Sequence, residues 1–251
     1  PDDKAVFYCH QYSPTRGWIV SPNLRDVHCM PTQPDKFLNT NAHGLRGKQE
    51  FDYARKPGVR RVAVFGDSFT FGEEVSDNET YLAYLAEQFP GSEIMNFGVR
   101  GYGYGQMLQY LKEEGVRYHP DTVVMAFNKL DLSRGALSFR DAPKPRFSLQ
   151  EGQLVGDNMP VPLPHEVMAA EPFRLKTLDL ISLINTKTHG QVARLGQNER
   201  LAAALIEDFD RTVKSIPAQP VYFYMPVLEE LKDSSTGLNR EEAFLADLCK
   251  R

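Results

Sequence analysis

Gly66-Asp67-Ser68-Phe69-Thr70-Phe71-Gly72 places a serine directly behind a short apolar run, Arg61-Val62-Ala63-Val64-Phe65, that ends at Gly66. A serine at such a strand-to-helix turn stands at the carboxyl edge of a sheet, its hydroxyl exposed beside the N-terminus of the following helix. Amides there stabilise a developing oxyanion. This is the geometry of a nucleophile, and a hydroxyl in that role still needs a base. As a string without context, Gly-Asp-Ser also marks a tight turn or a helix N-cap.

The base has six candidates: His10, His28, His43, His119, His165 and His189. His119, in Tyr118-His119-Pro120-Asp121, precedes a strand and so falls at the amino edge of the sheet, opposite Ser68, where it reads as a surface turn residue. His165 and His189 lie in or near a long excursion that would have to fold over the site. His10, His28 and His43 belong to the N-terminal arm, and no histidine follows the last strand. Cys9, Cys29 and Cys249 match no metal-ligand spacing, which wants paired CxxC or HxxxH clusters. Cys9 and Cys29 either pair in an oxidising compartment or stay free thiols.

The elements that position Ser68 follow from periodicity. Residues 1–57 hold scattered turn formers (Ser13, Pro14, Gly17, Pro22, Pro31, Pro34) and predict an irregular arm wrapped on a body of residues 58–251. Arg61 to Phe65 reads as a buried parallel strand. Glu79 to Phe89, with Tyr81, Leu82, Leu85 and Phe89 at helical spacing, reads as a helix stopped by Pro90-Gly91. The alternation recurs in a strand at Glu93–Phe97, a helix at Gln106–Glu114 and a strand at Asp121–Phe127. Such units predict a doubly wound parallel sheet with helices on both faces and ligands at the carboxyl ends of the strands. From Ser133 to Pro172 the pattern breaks into a proline-rich excursion or lid. Helices are predicted at Phe173–Asn185, Glu199–Ser215 and Arg240–Lys250, with a fourth strand at Pro220–Pro226.

Composition sets the bounds. The 251 residues carry 29 Lys+Arg against 33 Asp+Glu, a formal net charge of -4, which argues against a nucleic-acid binder. The 41% hydrophobic and 25% charged fractions are those of an ordinary globular chain, one large α/β domain or two small ones. No window approaches the ~20 apolar residues that span a bilayer.

From about Gly17 onward, the order and spacing of these blocks resemble the SGNH/GDSL hydrolase superfamily. The resemblance implies a flavodoxin-like three-layer α/β/α sandwich with a parallel sheet. It also implies an enzyme that cleaves or transfers acyl esters on lipids, saccharides or small molecules, without a metal or organic cofactor. The first block of the superfamily corresponds to Gly66-Asp67-Ser68 and makes Ser68 the implied nucleophile, its amide one oxyanion donor. The second block is a glycine after the second strand that donates its N–H to the oxyanion, and Asn96-Phe97-Gly98 matches it at Gly98, with Gly101 and Gly103 following. The third, an Asn-Asp pair, is altered here to Ala126-Phe127-Asn128-Lys129-Leu130-Asp131. Asn128 supplies the side-chain amide if the strand ends two residues early. An ungapped reading keeps Asp131 and puts Leu130, which cannot donate, in place of the asparagine. Asn128 otherwise caps the turn. Asp67, Tyr102 and Tyr104 are the candidates for lining the substrate groove, the tyrosines by stacking on sugar or acyl surface, unless they simply pack on the body.

The fourth block, Asp-x-x-His, occurs nowhere in the sequence. The superfamily continues past a helix like Arg240–Lys250 with a fifth strand, the loop bearing Asp and His, and a closing helix. The expectation is therefore a fold lacking its last strand and helix, with the base supplied from outside these 251 residues. A sheet cut at that point exposes an apolar edge, which natural proteins avoid. Gly17-Trp18, Pro22-Asn23 and Asn41-Ala42-His43-Gly44-Leu45-Arg46-Gly47 resemble the N-terminal arm of bacterial envelope-associated members, implying an extracytoplasmic or cell-envelope setting. Trp18 reads as a packing anchor, Arg46 as a contact for an anionic group or a solvated side chain. Two activities stay open: a serine esterase or O-acyltransferase, and a non-catalytic relative that binds glycan or lipid in the retained cleft. A nucleotide or flavin module would want a GxGxxG loop after the first strand, which is absent.

Overall fold

The computed structural model describes residues 9–28, 33–170, 191–232, 240–248 and 250. The N-terminal segment opens with an antiparallel hairpin, β1 (His10–Ser13) and β2 (Gly17–Val20), rather than the wholly irregular arm its turn formers predict. The hairpin is pinned to the body by tryptophan: Trp18 is buried, its Nε1 donates to the Arg100 carbonyl at 2.9 Å, and its own carbonyl accepts from the Tyr102 hydroxyl at 2.5 Å. Gly17 has φ +83°, and a Cβ there would lie 2.5 Å from the Pro143 carbonyl oxygen, so the turn admits only glycine. Cys9 is disulfide-bonded; Cys29, the partner the sequence suggests, lies outside the described residues.

The body begins with β3 (Arg61–Gly66), followed by the single-turn helix α1 (Ser68–Phe71) and α2 (Tyr81–Gln88), which starts one residue after the Thr80 side chain accepts from the Ala83 N–H. Next come β4 (Glu93–Gly98), α3 (Tyr104–Glu113), β5 (Thr122–Phe127) and the short α4 (Asp131–Arg134). The proline-rich excursion is structured. It carries a hairpin, β6 (Arg146–Gln150) with β7 (Gln153–Asp157), and the helix α5 (Pro164–Ala170). The helix predicted over Phe173–Asn185 lies outside the described residues. The chain then forms α6 (Gln191–Lys214), β8 (Gln219–Tyr224), α7 (Leu228–Lys232) and α8 (Arg240–Leu248).

The four body strands are parallel in the order β4-β3-β5-β8, with Gly66 and Gly98 level in the register. Period-two alternation sends successive side chains to opposite faces. Ala63, Phe65, Met95, Phe97, Val123 and Met125 enter one core, with Leu111 of α3 and Leu205 and Phe209 of α6. Phe65 stacks on Phe97 at 4.6 Å and meets Phe209 edge-on at 5.8 Å. Val64 and Ala126 face the other way and are covered by Leu82 of α2. Helices therefore lie on both faces, and the three-layer α/β/α architecture stands, with Ser68 where the central strand β3 ends. No helix among the described residues is long and apolar enough to cross a membrane.

Candidate active site

The turn bearing Ser68 is built by its neighbours. Asp67 caps α1, its Oδ1 accepting from the Phe69 N–H at 2.9 Å, and is fully buried. Gly66 has no room for a side chain: a Cβ would lie 2.1 Å from Thr70 Oγ1 and 2.9 Å from the Ala126 carbonyl oxygen. Ser68 itself is half-exposed, and its hydroxyl has no hydrogen-bond partner among the described residues. As the first residue of the helix its N–H has no intrahelical acceptor. Ser68, Phe69, Glu73, Glu74, Val75 and Tyr81 line an open cleft of about 320 Å³.

The wall of that cleft is held from the arm by Arg46. Not a solvated side chain, Arg46 is buried, with Nη1 donating to the Phe71 and Gly72 carbonyls at 2.8 and 2.6 Å and Nη2 to the Val75 carbonyl at 2.6 Å. Its Nε pairs with Asp77 Oδ1 at 2.8 Å. The guanidinium thus ties down the carbonyl end of α1 and the loop that follows. At the cleft mouth Arg100 Nε lies 2.9 Å from Glu73; burial raises the Glu73 carboxyl above the usual range, and Arg100 opposes the rise.

Two of the expected oxyanion donors face inward. The Gly98 N–H donates to Asn96 Oδ1 at 2.9 Å, while Asn96 Nδ2 donates to the Thr70 carbonyl at 2.9 Å. A Cβ on Gly98 would sit 2.4 Å from the Phe71 nitrogen. This glycine lets the backbone of α1 rest on β4; its amide is already engaged. Asn128 is fully buried, its Nδ2 donating to Asp67 Oδ2 at 3.0 Å and its Oδ1 accepting from the Leu130 N–H at 2.9 Å. Leu130 is exposed at the start of α4. The strand ends at Phe127, so Asn128 leads the turn as a cap and also reaches sideways to the nucleophile turn.

The three residues expected to line the groove do not reach it. Asp67, Tyr102 and Tyr104 are each 0% exposed: Asp67 is a cap, Tyr102 hydrogen-bonds the Trp18 carbonyl, and Tyr104 packs edge-on against Phe127 at 5.8 Å. The glycines around the tyrosines serve close packing, for a Cβ on Gly103 would lie 2.5 Å from Arg134 Cβ and one on Gly105 2.3 Å from the Phe147 ring.

No histidine hydrogen-bonds Ser68 among the described residues. His10 packs its ring 6.1 Å from Phe71, and burial, aided by Arg100, pushes its pKa down to about 4. His28 lies against Phe37, and His43 sits between Tyr53 and Tyr118. His119 takes a left-handed conformation before β5, at the amino edge as expected. His165 belongs to α5, and His189 lies outside the described residues.

Behind Ser68 the structure assembles a buried ionic cluster that sequence reasoning does not foresee. Asp131 is fully buried, and its Oδ2 accepts from the Asn128 N–H at 3.0 Å. Arg134 Nη1 lies 3.0 Å from Asp67 Oδ2 and 2.5 Å from Asp131 Oδ1. Buried Lys144, from the excursion, donates Nζ to the Arg134 carbonyl. One guanidinium shared by two carboxylates does not neutralise both. Burial, then the Asp67 charge, pushes Asp131 up to about 8, and burial, then Arg134 and Arg140, pushes Lys144 down to about 7. The one signal in the sequence is the acidic-basic spacing of Asp131 and Arg134, one helical turn apart. Among the described residues no group of three or more His, Cys, Asp or Glu is placed to hold a metal ion.

No family model and no curated protein matches the chain. Solved structures that it resembles include AlinE4, an SGNH-hydrolase family esterase, at 17% identity over 78% of this chain and 94% of that one, with a TM-score of 0.33. A lipase/acylhydrolase from Enterococcus faecalis aligns at 18% identity over 64% of this chain and 75% of that one, with a TM-score of 0.29. A catalytic mutant of Axe2, an acetylxylan esterase from Geobacillus stearothermophilus, aligns at 13% identity over 78% and 94% respectively, with a TM-score of 0.30.

Proposed function

We propose that the chain is a serine esterase or O-acyltransferase of the SGNH/GDSL type, with Ser68 as nucleophile. The observation that carries this reading is an unpartnered serine hydroxyl at the first position of a helix, directly after the central parallel strand and open to a cleft. Ser68 Oγ attacks the ester carbonyl carbon while its proton passes to a base. The oxyanion meets the free amide of Ser68 at the helix start. Collapse expels the alcohol, which takes up the proton, and the acyl-enzyme then passes its acyl group to water or to a sugar hydroxyl. The base that the resemblance calls for is a histidine of the kind that the superfamily carries in Asp-x-x-His. Phe69 and Tyr81 offer apolar surface, and Glu73 and Glu74 accept from hydroxyl groups, which suits an acylated saccharide or lipid. The Cys9 disulfide supports an oxidising, extracytoplasmic setting.

The test is labelling with a fluorophosphonate probe together with hydrolysis of short p-nitrophenyl esters. Both activities are expected in the wild type and absent from Ser68→Ala. A second reading, a non-catalytic glycan or lipid binder, is favoured by the inward-facing Gly98 N–H and Asn128 amide. Equal, background-level labelling of both proteins decides for it.

A further inference from the structure

We propose that Arg134 is a positioning residue that locks the three loops of the candidate site into one unit. The proposal rests on the reading of Ser68 as nucleophile. A single nitrogen, Nη1, lies 3.0 Å from Asp67 Oδ2, 2.5 Å from Asp131 Oδ1 and 2.8 Å from the Tyr102 carbonyl oxygen. Asp67 belongs to the turn after β3 that presents Ser68, Tyr102 to the loop after β4, and Asp131 to the turn after β5. Each of these loops leaves the carboxyl edge of a different strand. In a parallel sheet no ladder holds such loops to one another, so their relative placement depends on side chains.

Around Arg134 the structure is shaped to admit it. Gly103 leaves the space its Cβ occupies, and Lys144 Nζ and the Phe147 N–H approach from the excursion, the one onto the Arg134 carbonyl and the other onto that of Gly135. The Arg134 side chain is 7% exposed and those of Asp67 and Asp131 0%, so in the intact protein these contacts are made out of reach of bulk water. Asp67 and Asp131 both face the Arg134 guanidinium, while Lys144 Nζ sits on the Arg134 carbonyl. Taking away one partner of such a set leaves a buried charge without compensation, which the chain relieves by protonating a carboxylate or opening the turn. Either outcome moves Asp67, and Asp67 is the cap that orients Ser68. A lysine does not substitute fully, because its side chain is one bond shorter than the path to Nη1 and its ammonium stops short of the three acceptors gathered there.

The experiment measures fluorophosphonate labelling of Ser68 in the wild type, Ser68→Ala, Arg134→Ala and Arg134→Lys, with probe concentration varied to separate the half-saturating concentration from the maximal rate. Folding of each variant is checked by near-ultraviolet circular dichroism. Displacement of the nucleophile by about an ångström predicts a maximal rate roughly 100-fold lower in Arg134→Ala at an unchanged half-saturating concentration. Millimolar guanidinium ion should restore much of the loss, and Arg134→Lys should be slow yet insensitive to guanidinium. A folded Arg134→Ala that labels at the wild-type rate overturns the proposal, as does a slow one that guanidinium leaves unchanged. If Arg134→Ala does not fold, Arg134→Lys decides by the same rate comparison. A wild type that labels no better than Ser68→Ala defeats the nucleophile reading itself, and that is seen before any Arg134 variant is compared.

Discussion

Asn128 Nδ2 donates to Asp67 Oδ2 at 3.0 Å across 61 residues of sequence, with both side chains wholly buried. The amide that the superfamily resemblance assigns to the oxyanion is thus directed at the aspartate beneath the nucleophile. Asn128 supports the turn from below, as Arg134 does from the side.

Asn128→Ala therefore acts first on stability. Asp67 keeps Arg134 as a donor but loses one of its hydrogen bonds, and the Leu130 N–H loses its acceptor. Leaving buried polar groups unpaired costs about 1–3 kcal/mol, to be read as a lower urea midpoint. The labelling rate of the folded fraction falls only modestly. A 100- to 1,000-fold loss of turnover at an unchanged midpoint is the signature of a lost oxyanion donor, and would place the Asn128 amide in the cleft instead.

Gly98→Ala separates two roles for one glycine. Alanine keeps the N–H, so a residue that serves only as an amide donor tolerates the change. The structure puts the new Cβ 2.4 Å from the Phe71 nitrogen and 2.7 Å from the Thr70 carbonyl carbon, both backbone atoms of α1. The helix must shift and carry Ser68 with it. Overpacking of this kind costs about 1–3 kcal/mol, and the displaced nucleophile should label roughly 100-fold more slowly. Wild-type stability and labelling in Gly98→Ala would show that α1 does not rest on β4 here.

The sheet and the placement of Ser68 are legible in the sequence because each depends on local pattern. Val62 to Phe65 and Val123 to Phe127 are uninterrupted apolar runs, as parallel strands buried on both faces must be, and Gly-Asp-Ser follows the first of them directly. The supports of the site are not local. Arg46, Arg134 and Lys144 look in sequence like any solvated cation, and only packing against elements distant in the chain buries them. Arg134 also falls at the start of the stretch where the alternation breaks down, so the excursion hides the turn that carries it. Tyr102 and Tyr104 mislead for a related reason. A Gly-Tyr-Gly-Tyr-Gly run reads as an open loop, yet its glycines are occupied by Arg134 and Phe147 and its tyrosines fill the core. Sequence shows that an amide exists at Gly98, but its acceptor, Asn96, is fixed only by the turn geometry at the end of β4.

Asp131 and Lys144 respond to pH in opposite senses. In the folded chain burial and the Asp67 charge hold the Asp131 carboxyl at about 8 against 3.8 when exposed, so between these values the native state binds more protons than the unfolded one. The contribution of protonated Asp131 is complete below 3.8 and is lost as pH rises through 8. Lys144 is held at about 7 against 10.5, so there the unfolded chain binds more protons and the penalty for burying the ammonium fades from 7 to 10.5. The groups facing this pair are Asp67, Arg134, Asn128 and Tyr104 around Asp131, and Arg134 and Arg140 around Lys144. Asp131→Asn should accordingly gain stability relative to the wild type as pH rises from about 5 to 8, with a slope no steeper than about 1.4 kcal/mol per pH unit for one proton. Lys144→Met should lose stability relative to the wild type from about pH 7 to 10. Urea midpoints across that range test both, and curves for the variants that run parallel to the wild type would show that neither group titrates in the cluster.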